Sequence, residues 1–299
     1  MKDGDLVEVE IQQARSFGLK RAKVINVLSH ENDQNLISLI SINEFDIPTE
    51  FTPEAISLAE QAQPVKISKG REDLRDINLI TVDGDDARDF DDAIWAEKDK
   101  NPHNLNGWRM IVAIADVAHY VSNGDPLDID ARKRGNSVYF ADRVVPMLPE
   151  NLSNGLCSLK PNEDRGCLAV EITIDKFGHK KSHRFIRGVM RSKARLTYEQ
   201  LEETFNGNKN ACSPEIMKLA KSLRGAYNAL SDAREKRGAL NIETTEKVIK
   251  INDNGKIDSI LPRERLESHK VIEEFMVTAN VCAAETLEEK MQRSCLMIR

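Results

Sequence analysis

The chain has 299 residues, 40% of them hydrophobic and 31% charged, with a formal net charge of −6, enough for two domains with a sizeable core. No apolar run approaches the ~20 residues that cross a bilayer, and Met1–Asp5 lacks the apolar stretch of a secretion signal. The five cysteines are odd in number and form no C-x-x-C pair, which argues against a disulfide framework or structural zinc and for a reducing cytoplasm.

Leu6, Val7, Val9 and Ile11 form a short apolar strand, and Ala22–Leu28 and Leu36–Ile42 read as two more, with the polar stretch His30–Asn35 between them. A closed oligonucleotide-binding barrel needs about five strands, so this segment reads as the back end of a barrel whose front is missing. Pro53–Ala62 reads as a short helix. Gln61–Asp76 is polar and carries Pro64 and Gly70, which places a domain boundary there. Leu79–Val82 is a strand entering an acidic run, Ala93–Ala96 resumes it, and Arg109–Val117 is strongly apolar. Leu168–Ile174 and Arg184–Met190 are further strands. Thr197–Phe205 and Pro214–Arg237 are helices, the second with Ile216, Leu219, Leu223, Tyr227 and Leu230 at helical spacing. Val248–Ile260 reads as a hairpin around Asp253-Asn254-Gly255, and Glu264–Gln292 as a long helix. Leu296–Arg299 resembles the start of another strand, as if the sequence were cut there.

Net acidity counts against a nucleic-acid binder, because phosphate contacts need positive charge. The distribution differs from the sum. Lys176–Tyr198 contains no Asp or Glu but many Lys and Arg. On charge alone this stretch reads as a solvated face.

The informative segment is Val82-Asp83-Gly84-Asp85-Asp86-Ala87-Arg88-Asp89-Phe90-Asp91-Asp92-Ala93, with six aspartates among residues 83–92. Aspartate is poor in strands and helix interiors, yet this run lies between two strand-like segments. Carboxylates crowded away from water repel and take up protons. A hard divalent cation relieves that, with Mg2+, Mn2+ or Ca2+ favoured over zinc. A solvated acidic loop is one reading. A calcium loop is a second, but its spacing from Asp83 would require an oxygen ligand, Gly and Glu where the chain has Ala87, Arg88 and Ile94. The third is a catalytic cluster in which metals clamp the attacking and leaving oxygens of a phosphodiester. Spacing alone favours the third over the first without naming a substrate.

The same segment closely resembles the signature of the ribonuclease II/ribonuclease R catalytic (RNB) domain. Further blocks follow in that family's order: Val112–Val117, Arg134–Phe140, Val145–Glu150, Leu152–Leu159, Ala194–Tyr198 and His269–Met276. The wording is nearest the ribonuclease R branch. The fold implied is α+β, a partial OB-type, cold-shock-like β-barrel followed by a mixed α/β RNB catalytic domain that is incomplete at its C-terminus. Residues 1–62 resemble the C-terminal part of the cold-shock domain, 63–76 a linker, and 77–299 the N-terminal two thirds of the catalytic domain.

The resemblance implies a processive 3′→5′ exoribonuclease that hydrolyses single-stranded RNA to nucleoside 5′-monophosphates by metal-activated water. Its cofactor is Mg2+, with Mn2+ as the alternative, and its partner is an RNA 3′ end; it implies no membrane, a monomer and the cytoplasm. Asp83, Asp89, Asp91 and Asp92 sit at the family's essential aspartates. Asp83 and Asp92 would hold the catalytic cation, Asp89 would help place a second one, and Asp91 would lie by the terminal nucleotide. Tyr139 matches a tyrosine that clamps terminal bases. Tyr198 and Glu274 match residues near the scissile phosphate and the ribose 2′-hydroxyl, the group that separates RNA from DNA; without the flanking blocks, Tyr139 and Tyr198 would read as core aromatics. The basic stretch would line or support the RNA channel. Two departures stand out. The family's catalytic arginine belongs to a later block that this chain does not reach, so the isolated chain is expected to bind metal weakly and degrade RNA poorly. Ile242 stands where many relatives stack a phenylalanine. The alternative is a catalytically incomplete RNA-binding fragment or regulatory relative, against which the intact aspartate set argues.

Overall fold

The computed structural model describes residues 2–12, 21–29, 36–240, 247–252 and 257–290. In chain order its elements are β1 (Leu6–Gln12), β2 (Arg21–Ser29), α1 (Leu36–Glu44), α2 (Pro53–Gln61), β3 (Glu72–Asp73), β4 (Ile80–Asp83), β5 (Asp92–Lys98) and β6 (Trp108–Ala115). Then come α3 (Pro126–Arg134), β7 (Val138–Tyr139), β8 (Val144–Val145), β9 (Asp164–Ile174), β10 (Lys180–Arg191) and β11 (Ala194–Thr197). The last are α4 (Tyr198–Phe205), α5 (Pro214–Lys236), β12 (Lys247–Ile251), β13 (Ile257–Pro262) and α6 (Glu267–Glu289). The architecture is α+β. No helix among the described residues is long and apolar enough to cross a membrane.

The chain divides into two compact units. One comprises Met1–Ser57, Gly124–Pro149 and Thr244–Arg263, the other Leu58–Asn123, Glu150–Glu243 and Glu264–Arg299. In the first unit, β1 and β2 form an antiparallel ribbon with register irregularities at Leu6/Val7 and Glu8/Val9. The third expected strand, Leu36–Ile42, is instead α1. Its β-branched residues suggested a strand, but its two serines, Ser38 and Ser41, stand three apart and the buried pair is Ser38 and Ile42, one helical turn apart. Asp125 caps α3, Pro126 occupies its first turn and Gly135 ends it at φ +76°. The α3 carboxylate of Asp130 accepts from both N and Oγ1 of Thr52, at 2.8 and 3.0 Å. Arg134 donates to the carbonyls of Pro48 and Glu50 and lies over the Phe51 ring. The expected late hairpin is present as β12 paired antiparallel with β13; its turn, like Ile242 and Leu296–Arg299, lies outside the described residues.

The second unit is built on a seven-stranded mixed sheet in the order β11-β4-β5-β6-β9-β10-β3. The outermost pairings, β11 with β4 and β10 with β3, are parallel and the others antiparallel. One face carries Ile80, Val82, Ile94, Met110, Val112 and Ile172 against the apolar stripes of α4, α5 and α6, with Phe275 fully buried among them. Thr197 and Gln200 form a reciprocal capping box that starts α4 where β11 ends. Gly225 lets α5 lie directly on Trp108, since a Cβ there would come within 2.3 Å of Cη2. Val65 and Leu74, from the stretch read as a boundary, are buried in this unit.

Candidate functional site

Asp83 ends β4 and Asp92 begins the antiparallel neighbour β5, so the sheet itself sets their carboxylates at adjacent strand ends. Between them, residues 84–91 form no regular element. The backbone of this loop is tied down on both sides. Asp91 O accepts from Ala115 N at 2.9 Å. Arg195, on β11, donates through Nη2 to the carbonyls of Gly84 and Asp85 at 2.5 and 2.9 Å, and its guanidinium lies 5.5 Å from the Phe90 ring centre.

The electrostatics are those of crowded, half-buried carboxylates. Burial, then the charges of Asp92, Asp91 and Asp89, push Asp83 up to about 7, against the pull of Arg195. Burial and Asp91 raise Asp92 to about 6. Asp91, although in contact with solvent, is raised to about 6 by burial and by Asp89. One oxygen each of Asp83 and Asp92 is buried without a hydrogen-bond donor. A buried carboxylate oxygen with no partner is costly, and a cation supplies the missing positive charge. Among the described residues no three carboxylate, imidazole or thiolate groups converge as the ligand set of one ion. The two partnerless oxygens of Asp83 and Asp92 offer the donors that a Mg2+-type ion uses, since it takes one or two carboxylates and completes its shell with water or phosphate. The hard-oxygen donor set fits the same ion.

The other expected residues fall as follows. Tyr198 opens α4, one residue after Thr197, which is in parallel register with Asp83. Its ring stacks on His269 at 4.0 Å. Glu274 lies on α6, only 4% exposed, and accepts from Arg234 Nη1 at 3.2 Å. Arg234, Arg265, Lys270, Glu273 and Glu274 line a recess of about 190 Å³ between α5 and α6. Tyr139 belongs to the other unit, where it is 64% exposed and pairs with Val144.

The basic stretch is not a bare cationic surface. Arg184 pairs with Glu171 and Glu72, Arg187 with Asp116, Arg191 with Asp164 and Lys180 with Glu285. Because β10 lies between β9 and β3, its cations meet carboxylates from those strands and from the end of β6. The residues that composition did not reveal are Arg195, His269 and Arg234, although the first two stood inside quoted blocks.

An RNB domain model matches residues 71–299, and a cold shock domain model matches residues 1–52. Ribonuclease R of Vibrio parahaemolyticus is 43% identical over 296 residues, covering 96% of this chain and 34% of that protein. Ribonuclease R of Escherichia coli is 38% identical over 301 residues, covering 99% of this chain and 36% of that protein. The structure of Mycoplasma genitalium RNase R in complex with double-stranded RNA matches with a TM-score of 0.89 at 27% identity, covering 97% of this chain and 52% of that one. The chain thus spans about a third of the length of the curated relatives it matches.

Proposed function

The chain belongs to the RNB-domain family, and from that membership we propose that it forms the aspartate-bearing part of a 3′→5′ exoribonuclease acting on single-stranded RNA. We assign residues 1–62 to the end of a cold-shock/OB-like domain, 63–76 to a linker and 77–299 to the RNB domain. The observation that carries the reading is the pair of donor-less oxygens on Asp83 and Asp92 at neighbouring strand ends. A cation bound there would neutralise phosphate charge and activate the attacking water. Asp83 and Asp92 would hold that ion, Asp89 would help hold a second, and Asp91 would orient the terminal nucleotide. Processive release of nucleoside 5′-monophosphates follows if the strand advances one residue per cleavage.

The ribose end of the reading rests on α4 and α6. Tyr198, braced flat against His269, offers a rigid ring and hydroxyl near the strand end that carries Asp83. Glu274 is buried and oriented by Arg234, so its carboxylate is a fixed acceptor for a 2′-hydroxyl. Tyr139 would stack on terminal bases, which favours its exposed position.

The test uses a full-length enzyme that carries this chain, with 3′- and 5′-end-labelled single-stranded RNA and Mg2+. Wild type releases the 3′ label first as a nucleoside monophosphate, and Asp92→Asn abolishes release while retaining RNA binding. Equal behaviour of wild type and Asp92→Asn, with RNA held and none hydrolysed in Mg2+ or Mn2+, would establish the binding-module reading instead.

A further inference from the structure

The block Leu152–Leu159 has no part in the reaction proposed above, yet it is where the acidic loop is fastened. Ser158 is fully buried. Its Oγ accepts a hydrogen bond from Phe90 N at 3.0 Å and donates one to the Arg88 carbonyl at 2.9 Å. The next residue, Leu159, donates its N–H to the Phe90 carbonyl at 2.8 Å. Phe90 stands between Asp89 and Asp91, so these three bonds grip the backbone that joins two of the four carboxylates. Ser158 is itself anchored: its carbonyl accepts from Nε of the buried Arg165 on β9, at 2.8 Å. A π turn, Leu152–Leu156, delivers the segment, with Leu152 buried at its start.

We propose that Ser158 is a positioning residue that clips the Arg88–Asp91 segment, so that Asp89 and Asp91 stay beside the cation site formed by Asp83 and Asp92. The inference rests on the metal site proposed above. Its physical basis is a contest. Like charges push the carboxylates apart, and residues 84–91 have no ladder of their own to resist. The hydroxyl uses both its donor and its acceptor function across the loop. Alanine would leave the Phe90 N–H and Arg88 C=O without those partners, and the loop would relax outward to find water. Removing a hydrogen-bond partner that orients metal-binding groups weakens metal affinity by roughly 10- to 100-fold.

The experiment measures Mn2+ binding to the whole chain by electron paramagnetic resonance, alongside hydrogen exchange of the Phe90 amide. Ser158→Ala is expected to weaken Mn2+ binding by about 10-fold or more and to speed Phe90 exchange, with the circular dichroism of the sheet unchanged. Ser158→Thr, which keeps the hydroxyl, restores both in part. Unchanged Mn2+ affinity in Ser158→Ala, while Asp92→Asn loses binding, overturns the clip and leaves the metal site standing. No Mn2+ uptake by wild type, or equal uptake by Asp92→Asn, overturns the metal site and the clip with it. Global unfolding of both Ser158→Ala and Ser158→Cys also overturns it, since a clip confined to this loop leaves the sheet intact.

Discussion

Replacing Asp116 with Asn isolates a heavily used buried charge of the unit built on the seven-stranded sheet. Asp116 follows β6 and its side chain is 5% exposed. Its Oδ2 accepts from Arg71 at 2.6 Å and from Arg187 Nε at 2.7 Å, and its Oδ1 accepts from Arg187 at 3.1 Å. The two arginines differ in a way that fixes the ledger. Arg71 is 8% exposed and has a neutral partner, the Gly188 carbonyl at 3.2 Å, as its alternative to Asp116, whereas Arg187 is 47% exposed and can turn to water. Losing the carboxylate therefore strands one buried cation, at a cost of about 3–5 kcal/mol. Arg187→Met should cost no more than about 1 kcal/mol, in the range of exposed pairs. Urea unfolding followed by tryptophan fluorescence suits the measurement, because the only two tryptophans, Trp95 and Trp108, lie on β5 and β6 of this sheet. The pH dependence has a definite sign. Burial opposes the charged form, but the hydrogen bonds and charges of Arg187 and Arg71 outweigh it and hold the carboxyl below its ordinary value. The Asp116 contribution is therefore present above the unfolded pKa of ~4 and lost as pH falls through the lower folded value. A cost for Asp116→Asn below about 1 kcal/mol, or an Arg187→Met cost equal to that of Arg71→Met, would refute the reasoning.

The acidic site carries the opposite sign. Without metal, Asp83 titrates at about 7 and Asp91 and Asp92 at about 6, all above the ~3.9 of an unfolded aspartate. The folded state then binds more protons between about pH 4 and 7, so metal-free stability should rise as pH is lowered through that window. Mg2+ should flatten the slope and raise the melting temperature at neutral pH, by about 2.7 kcal/mol at a hundred times Kd; a flat metal-free profile, or no response of wild type to Mg2+, contradicts this. Gly225→Ala drives a Cβ to within 2.3 Å of Trp108 Cη2, while Lys98 lies over the same indole at 3.5 Å from its centre. The ring must shift, at about 1–3 kcal/mol, read as a lower urea midpoint and a changed Trp emission. An unchanged midpoint would mean that α5 does not rest on that ring.

How far the sequence carried is clearest element by element. The long helices α5 and α6 and the strands β5, β6, β9 and β10 were legible because their apolar residues recur at one period over many positions. Helix α1 was misread because a run of Leu and Ile without charges looks like a strand, and only the spacing of its serines betrays the turn. Helix α3 went unread for the opposite reason: it is polar nearly all round, and its one large buried apolar residue, Leu127, makes no stripe. Its real signals were the cap Asp125, the following Pro126 and the closing Gly135. The aspartates were legible as a run because local composition is a local fact. Their supports were not, since Ser158 reaches Phe90 from 68 positions away and Arg195 reaches Asp85 from 110. Nothing in a linear reading says which serine or arginine will arrive.

The fate of the basic stretch gives the acidic site its logic. Charge alone made the β10 stretch read as a solvated face, and the family resemblance as a lining of the RNA channel, but its arginines meet Glu171, Glu72, Asp116 and Asp164. Arg195 is turned to backbone carbonyls of the acidic loop, and Arg234 to Glu274. Arginines so engaged fix geometry; those paired with carboxylates add little net positive charge, and Arg195, a cation that pulls on Asp83, stands against the charges of Asp83, Asp89, Asp91 and Asp92. Like charges at close range in a poorly hydrated site repel by several kcal/mol even at an effective dielectric of about 20. On the proposed function, approach of RNA to Asp83 and Asp92 therefore demands added positive charge. The donor-less carboxylate oxygens of Asp83 and Asp92 are where this chain can hold it.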